Sequence, residues 1–242
     1  MSLTNLHASA NYQDELHQFI KKVEGLVLLP YFDAKDNSAL VTIGIGANID
    51  TESKYLRYVL AELGIDGAVS EIDSTKTANV LIKAAMDSVP NGSANDLALQ
   101  TALNDVLRKN FPSRFGPTSE FKLTETQVYN VLDKIVADKK IALDAKLTAN
   151  GIDVAAMQNT KEYLVLTSLD YNTKQGATNL IGPKLLSAIT NDNRAEAWYE
   201  IRYGSNKNGI HASRRYAEAA LFGLYDAGTL SKDQEIDQSK EI

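Results

Sequence analysis

The sequence predicts an α+β chain dominated by helix, with a small β-hairpin lobe attached to a larger helical body. Three observations carry this expectation. Residues 27–33 and 39–46 are β-rich runs on either side of a polar turn, Ala34-Lys35-Asp36-Asn37-Ser38. Past Asn48, apolar residues recur at helical rather than strand spacing. Caps and breakers then punctuate the rest of the chain.

Taken in order, residues 1–11 read as a loose arm. From Tyr12 to Val23, Leu16, Phe19, Ile20 and Val23 form an i, i+3, i+4, i+7 stripe. Asn11 can cap that helix, Asp14 and Glu15 suit its positive end, and Gly25 stops it, which puts Glu24 in the last turn. In the second strand, Gly44 and Gly46 alternate with Ile43 and Ile45. Glycines at period two bare one strand face, so either a sugar ring or a neighbouring helix can approach the backbone there. Tyr55, Leu56, Val59, Leu60 and Leu63 form the next helical stripe, followed by helices over 76–88 and 94–109, the latter with Ser93 as cap and Asp96 three residues on. Pro90-Asn91-Gly92 and the segment from Phe111 to Pro117 are breakers. Thr124 and Gln127 make a capping box, and Val128, Val131, Leu132 and Ile135 follow on one face. Thr160 caps a helix through Leu169, and further helices are expected over 180–190, 193–201 and 212–225. The end of the chain, SKDQEIDQSKEI, is polar and expected to fray.

At 242 residues the chain can bury a substantial interior. Its longest apolar run, Gly25 to Tyr31, is far short of the roughly 18 residues that span a bilayer. The first residues have neither a basic start nor an apolar h-region, so no export signal is legible. Cysteine is absent, which excludes disulfides and thiolate metal sites, and three histidines are too few and scattered for a zinc centre. No metal or cofactor is expected. A net charge of −6 argues against a nucleic-acid partner, which needs a basic excess.

One stretch proposes a chemistry. Glu24 ends a helix, Asp33 borders a turn and Thr42 lies on the facing strand. Cleaving a glycosidic bond needs a proton donor for the leaving oxygen and a carboxylate that activates water or attacks the sugar. A carboxyl at the negative pole of a helix, in the apolar setting of Val23 and Leu26, suits the acid; one beside a polar turn suits the base. Each residue also has a plain reading: Glu24 as an ion-paired helix end, Asp33 as a local turn former, Thr42 as a strand former.

Glu24-Gly25-Leu26, then Tyr31-Phe32-Asp33, then Thr42-Ile43-Gly44-Ile45-Gly46 resemble, in that order, the signature of the phage-type (T4-like) lysozymes. Later segments follow in register: Leu123 to Gln127 resembles the family's LTxxQ/E helix opening, and Leu164 to Asn172 its central helix. Trp198-Tyr199, Gly209 to Arg215 and Tyr216 to Phe222 resemble its closing W…RR pattern. The resemblance implies a lysozyme-like fold over 13–228, made of a helix and β-hairpin (13–50), an enlarged helical insertion (51–120) and a helical lobe (121–228). An N-terminal arm (1–12) and a polar tail (229–242) flank it. It implies Glu24 as general acid, Asp33 as the carboxylate that steadies positive charge and activates water, and Thr42 as positioner of that water.

The implied activity is an inverting muramidase that cuts the β-1,4 bond between N-acetylmuramic acid and N-acetylglucosamine in peptidoglycan. Gly44 and Gly46 would line the substrate, with Tyr171 for stacking and Asn172 for an acetamido group; a core tyrosine and a helix-ending amide are the equal alternative. Arg214 or Arg215 would pair with Glu24. Trp198, Tyr199 and Tyr203 read as packing rather than as a binding platform. Such an enzyme would be made in a bacterial cytoplasm and act in periplasm or wall, as a phage endolysin helped by a holin or as an effector delivered by secretion machinery and met by an immunity protein. The rival is a wall-binding or virion module of the same fold. Ala47 departs from the family, where His commonly follows T-x-G-x-G.

Overall fold

The computed structural model describes residues 3–33, 40–65, 75–173, 180–206, 209 and 211–228. Helix makes up 61% and the sheet is small, three-stranded and antiparallel, so the α+β, mainly helical class holds. The turn read over 34–38 and the tail over 229–242 lie outside the described residues. The chain divides into two compact units, residues 20–135 and residues 1–19 with 136–242.

The unit of residues 20–135 begins within helix α1 (Tyr12–Glu24) and carries strands β1 (Val27–Asp33), β2 (Leu40–Gly44) and β3 (Ala47–Asn48). Helix α1 ends where expected. Gly25 takes φ +83°, a left-handed conformation that glycine reaches without a Cβ penalty, and its N–H bonds the Lys21 carbonyl at 2.9 Å. Strand order is β1-β2-β3, with Tyr31 opposite Thr42, Phe32 opposite Val41, Asp33 opposite Leu40, and Thr42 opposite Asn48. Register shifts between Val27 and Tyr31, the stretch that holds Pro30. A residue without an N–H cannot donate to a ladder, so it falls in the irregular part.

The outer edge of β1 would leave backbone groups unpaired. Helix α4 (Asp96–Asn110) supplies partners: Asp96 Oδ1 accepts from the Phe32 N–H at 2.9 Å, and Gln100 Nε2 donates to the Pro30 carbonyl at 3.2 Å. The Leu123 N–H donates to the Leu28 carbonyl at 3.0 Å. Helices α2 (Ser53–Glu62), α3 (Thr75–Asp87) and α4 (Asp96–Asn110) pack in succession, α2 on β3 and α4 on β1. A 3-10 turn, Ser93–Asn95, precedes α4, so Ser93 is not its cap, and Asp96 is committed to the sheet edge.

Helix α5 (Glu125–Ala149) opens on the expected capping box. The Thr124 N–H donates to Gln127 Oε1 at 2.8 Å and the Gln127 N–H to Thr124 Oγ1 at 3.3 Å. Gln127 Nε2 also donates to the Glu62 carbonyl at 2.6 Å, which ties the end of α2 to the start of α5.

The other unit takes the first part of α1 and the later part of α5, then α6 (Val154–Met157), α7 (Lys161–Tyr171), α8 (Pro183–Thr190), α9 (Arg194–Tyr199) and α10 (Ala212–Phe222). Its core joins Leu143, Leu147, Tyr163, Leu166, Ile189 and Phe222 with many others. Thr160 caps α7 as expected, accepting from the Tyr163 N–H at 3.2 Å. Helix α9 passes into a π-helical turn, Glu200–Gly204, closed by the Ser205 N–H on the Glu200 carbonyl at 2.9 Å.

The N-terminal arm is not loose where it is described. Leu3 is buried in the core, and Thr4 donates to Asp192 through both its N–H and its hydroxyl. Ala8 bridges Thr160, and the His7 carbonyl accepts from the Lys161 N–H at 2.9 Å. The His7 ring and N–H meet the wholly buried Glu162, which also takes Arg194 Nη1 at 2.8 Å. Burial alone would raise the Glu162 carboxyl. Hydrogen bonds from His7 and the backbone, with the Arg194 charge, outweigh it and hold the carboxyl below its ordinary range.

Candidate functional site

Glu24 is half-buried at the end of α1, whose last turn is pinned inside its unit by Lys21, 2.6 Å from Glu125 Oε1 at the head of α5. Its carboxyl lies on the β2–β3 turn. A Cβ built on Gly46 would sit 3.3 Å from Glu24 Oε2, and Gly46 has φ +72°. A side chain at Gly46 would therefore be both strained and in the way of the carboxyl. Gly44 is buried, with Val128 as its nearest neighbour, 3.4 Å from a Cβ built there. Of the two approaches open to the bare strand face, a helix takes the one at Gly44 and the Glu24 side chain the one at Gly46.

Strand alternation sorts the rest. Phe32, Val41, Ile43 and Ala47 are almost wholly buried on one face of the sheet. Tyr31, Asp33, Thr42 and Asn48 share the opposite face, because residues directly paired across antiparallel strands point the same way. Asp33 and Tyr31 are half-buried and Thr42 is 3% exposed. The Thr42 hydroxyl lies 3.5 Å from the Leu40 carbonyl, the long end of hydrogen-bond range. Asn48 turns its side-chain oxygen to the N–H groups of Asp50 and Thr51.

Tyr31 links the two carboxylates. Burial, first, and then the negative charges of Asp33, Glu24 and Asp96 push its hydroxyl up to about 12. It therefore stays a protonated donor at neutral pH in a field to which both Glu24 and Asp33 contribute. Sequence reasoning quoted Tyr31 within Tyr-x-Asp without giving it a place in the site. The signal was its period-two spacing from Asp33.

Tyr171, Asn172 and Arg214 belong to the other unit. Tyr171 ends α7 and is 9% exposed, which leaves little ring face for a sugar to stack on. Arg214 is buried. Its Nε donates to Glu218 Oε1 at 3.0 Å and its Nη2 to the Ser168 carbonyl at 3.0 Å. With the Asn172 amide oxygen turned to the guanidinium, Arg214 Nη1 donates to it at 2.6 Å. Arg215 Nη1 also donates to Glu218, and Ser168 Oγ donates to Glu218 Oε1 at 2.6 Å. Asn172 and Arg214 are thus brought together, within a buried network that joins α7 to α10.

Among the described residues no group of three or more His, Asp or Glu side chains is placed to hold a metal ion, and no helix is long and apolar enough to cross a membrane. The sheet face offers the Asp33 carboxyl, a protonated phenol and a buried alcohol, and the Glu24 carboxyl lies against the β2–β3 turn. Compared with protein-family models, curated proteins and solved structures, the chain matches none of them.

Proposed function

We propose that this chain is a lysozyme-like muramidase that hydrolyses the β-1,4 bond between N-acetylmuramic acid and N-acetylglucosamine in peptidoglycan. The observation that carries the reading is the Tyr31 hydroxyl: one group, on the face that bears Asp33 and Thr42, feels the charges of both Glu24 and Asp33. Two carboxylates disposed about one small region of surface are what glycoside hydrolysis requires.

In this reading Glu24, half-buried on the Gly46 turn, gives its proton to the leaving glycosidic oxygen. Positive charge gathers at the anomeric carbon as that bond opens. Asp33 steadies it and takes a proton from the water that attacks the opposite face, with inversion. Thr42 is the positioner of that water in this reading. Tyr31 stays protonated in the field of both carboxylates. No step calls on a metal or cofactor. The enzyme works on the wall after release or delivery, as an endolysin or an antibacterial effector.

A turbidity assay on purified peptidoglycan tests this. The native protein clears the suspension, Glu24→Gln and Asp33→Asn lose nearly all clearing, and mass spectrometry finds reducing muramic acid ends. Equal clearing by native and Glu24→Gln protein rejects the assigned acid. Binding without clearing by the native protein rejects the enzyme in favour of a wall-binding module.

A further inference from the structure

Outside the proposed site, one surface is built in a way that packing does not require. The sequence reading gave Trp198, Tyr199 and Tyr203 to packing; the structure buries Trp198 at 3% but leaves Tyr199 49%, Tyr203 43% and Tyr216 42% exposed. Tyr199 closes α9, Tyr203 lies in the π-helical turn that follows, and Tyr216 is on α10. π-Helical turns are rare and recur at functional sites.

Arg202 organises the three rings. Its guanidinium lies 4.4 Å from the Tyr216 centroid and 5.3 Å from those of Tyr203 and Trp198, and its Nε donates to the Tyr203 hydroxyl at 3.0 Å. Tyr199 and Tyr203 rest 5.0 Å apart, and Trp198 supports Tyr203 edge-on from the core at 6.3 Å. Arg202 forms no ion pair among the described residues, whereas the carboxylate on this turn, Glu200, folds over Gly204 and faces Lys184 at 3.8 Å. The result is a set of half-exposed aromatic rings around a cation that no carboxylate answers among the described residues. Aromatic faces of this kind take the C–H face of a pyranose, and a planar guanidinium takes a carboxylate.

We propose that Tyr199, Tyr203, Tyr216 and Arg202 form a carbohydrate-binding platform for a pyranose chain that carries carboxylate groups. It belongs to the unit that does not hold Glu24, so it is a binding site additional to the hydrolytic one. An acidic glycan is favoured over a neutral one by Arg202, whose planar guanidinium pairs with a carboxylate. The choice of peptidoglycan as probe rests on the hydrolase reading; the platform's chemistry does not.

The test uses the full chain in a Glu24→Gln background, sedimented with purified peptidoglycan, whose lactyl and peptide groups are anionic, and with chitin, whose similar rings carry no carboxylates. Peptidoglycan is expected to bind more tightly than chitin. Tyr203→Ala with Tyr216→Ala weakens both by about tenfold, the Phe pair keeps both, and Arg202→Gln removes the preference for peptidoglycan while chitin binding persists. Trp198, the only tryptophan, reports occupancy through its emission when solubilised glycan strands are added. Unchanged binding in the Ala pair, with its melting temperature preserved, overturns the platform. So does a native dimer that the Ala pair turns into a monomer, because the rings would then serve a second copy of the chain. Loss of clearing by the native protein with platform-dependent binding intact would sink the hydrolase reading alone.

Discussion

Gly46→Ala separates the position of Glu24 from the stability of the fold, because Gly64 supplies a matched control. Both glycines have left-handed backbone, φ +72° at Gly46 and φ +74° at Gly64. An alanine in that conformation costs about 1–2 kcal/mol. Among the described residues nothing lies within 4 Å of a Cβ on Gly64, whereas one on Gly46 meets Glu24 Oε2 at 3.3 Å. That oxygen is the far end of a flexible side chain, so it yields by a few tenths of an ångström at little energetic cost. The two variants should therefore melt alike, each roughly 2–8 °C below the native protein at about 2–4 °C per kcal/mol. Their rates should differ. If a displacement of about 1 Å costs about a hundredfold, one of 0.3–0.5 Å costs roughly 4- to 10-fold. Thermal unfolding by circular dichroism and peptidoglycan clearing well below the melting range measure the two effects. Gly46→Ala that clears as fast as Gly64→Ala would refute the inference that the carboxyl must lie on this turn. An equal loss in both would assign the effect to backbone strain.

In the buried network of the other unit, Glu218→Gln leaves Arg214 and Arg215 facing a neutral amide, and denaturant unfolding should show a loss of about 3–5 kcal/mol; a loss below about 1 kcal/mol would mean that water reaches the guanidinium groups. Glu162 and Asp170 should give pH dependences of opposite sign. The partners of Glu162 outweigh its burial and hold it below its ordinary 4.5, so its contribution is complete above 4.5 and drains away as pH falls through the folded value. Glu162→Gln should flatten melting temperature against pH in that acidic range, and an unchanged curve would rule the network out as its source. Burial, against the opposing charges of Lys139 and Lys146, raises Asp170 above its ordinary 3.8, so its contribution is complete below 3.8 and lost as pH rises through the folded value. Asp170→Asn should stabilise the chain more at neutral pH than near pH 3, and the reverse order in paired melts would contradict the burial argument.

What was legible in the sequence was what neighbours decide. The capping box at Thr124, the cap at Thr160, the stop at Gly25 and the helical stripe after Tyr12 use partners within a turn or two, and their elements begin and end close to the expected residues. The misses have distant partners. The arm has no periodicity to read, yet Thr4 and His7 find partners more than 150 positions away, on Asp192 and Glu162, and Leu3 joins the core of its unit. Strand β3 is two residues long, too short to show a pattern. The helix expected to 225 ends at Phe222, where Gly223 turns to φ +85°. The site divides the same way. Glu24, Asp33 and Thr42 fall within one unit because strand pairing fixes two of them and a helix end the third, whereas the buried setting of Arg214 draws on Ser168 of α7 and Asn172 at its end as well as on Glu218 one turn along its own helix.

The sheet explains why so small a β element can hold a chemistry. Phe32, Val41, Ile43 and Ala47 commit one face to the interior, so a slip of one residue would bury Asp33 and Tyr31 and expose the apolar set. Burial on one side thereby fixes which groups stand on the other. The outer edge of β1 cannot recruit a further strand, because Asp96 and Gln100 already answer its backbone. That bond also bears on which acids the proposed reaction can use. Three carboxylates act on Tyr31, but Asp96 is held by the Phe32 N–H as part of the scaffold, so the proposal assigns the reaction to Glu24 and Asp33. Asp96→Ala, which removes the acceptor, should therefore loosen β1 and lower stability, while Asp33→Asn should abolish clearing in a protein that still melts normally. The opposite pattern would exchange their roles.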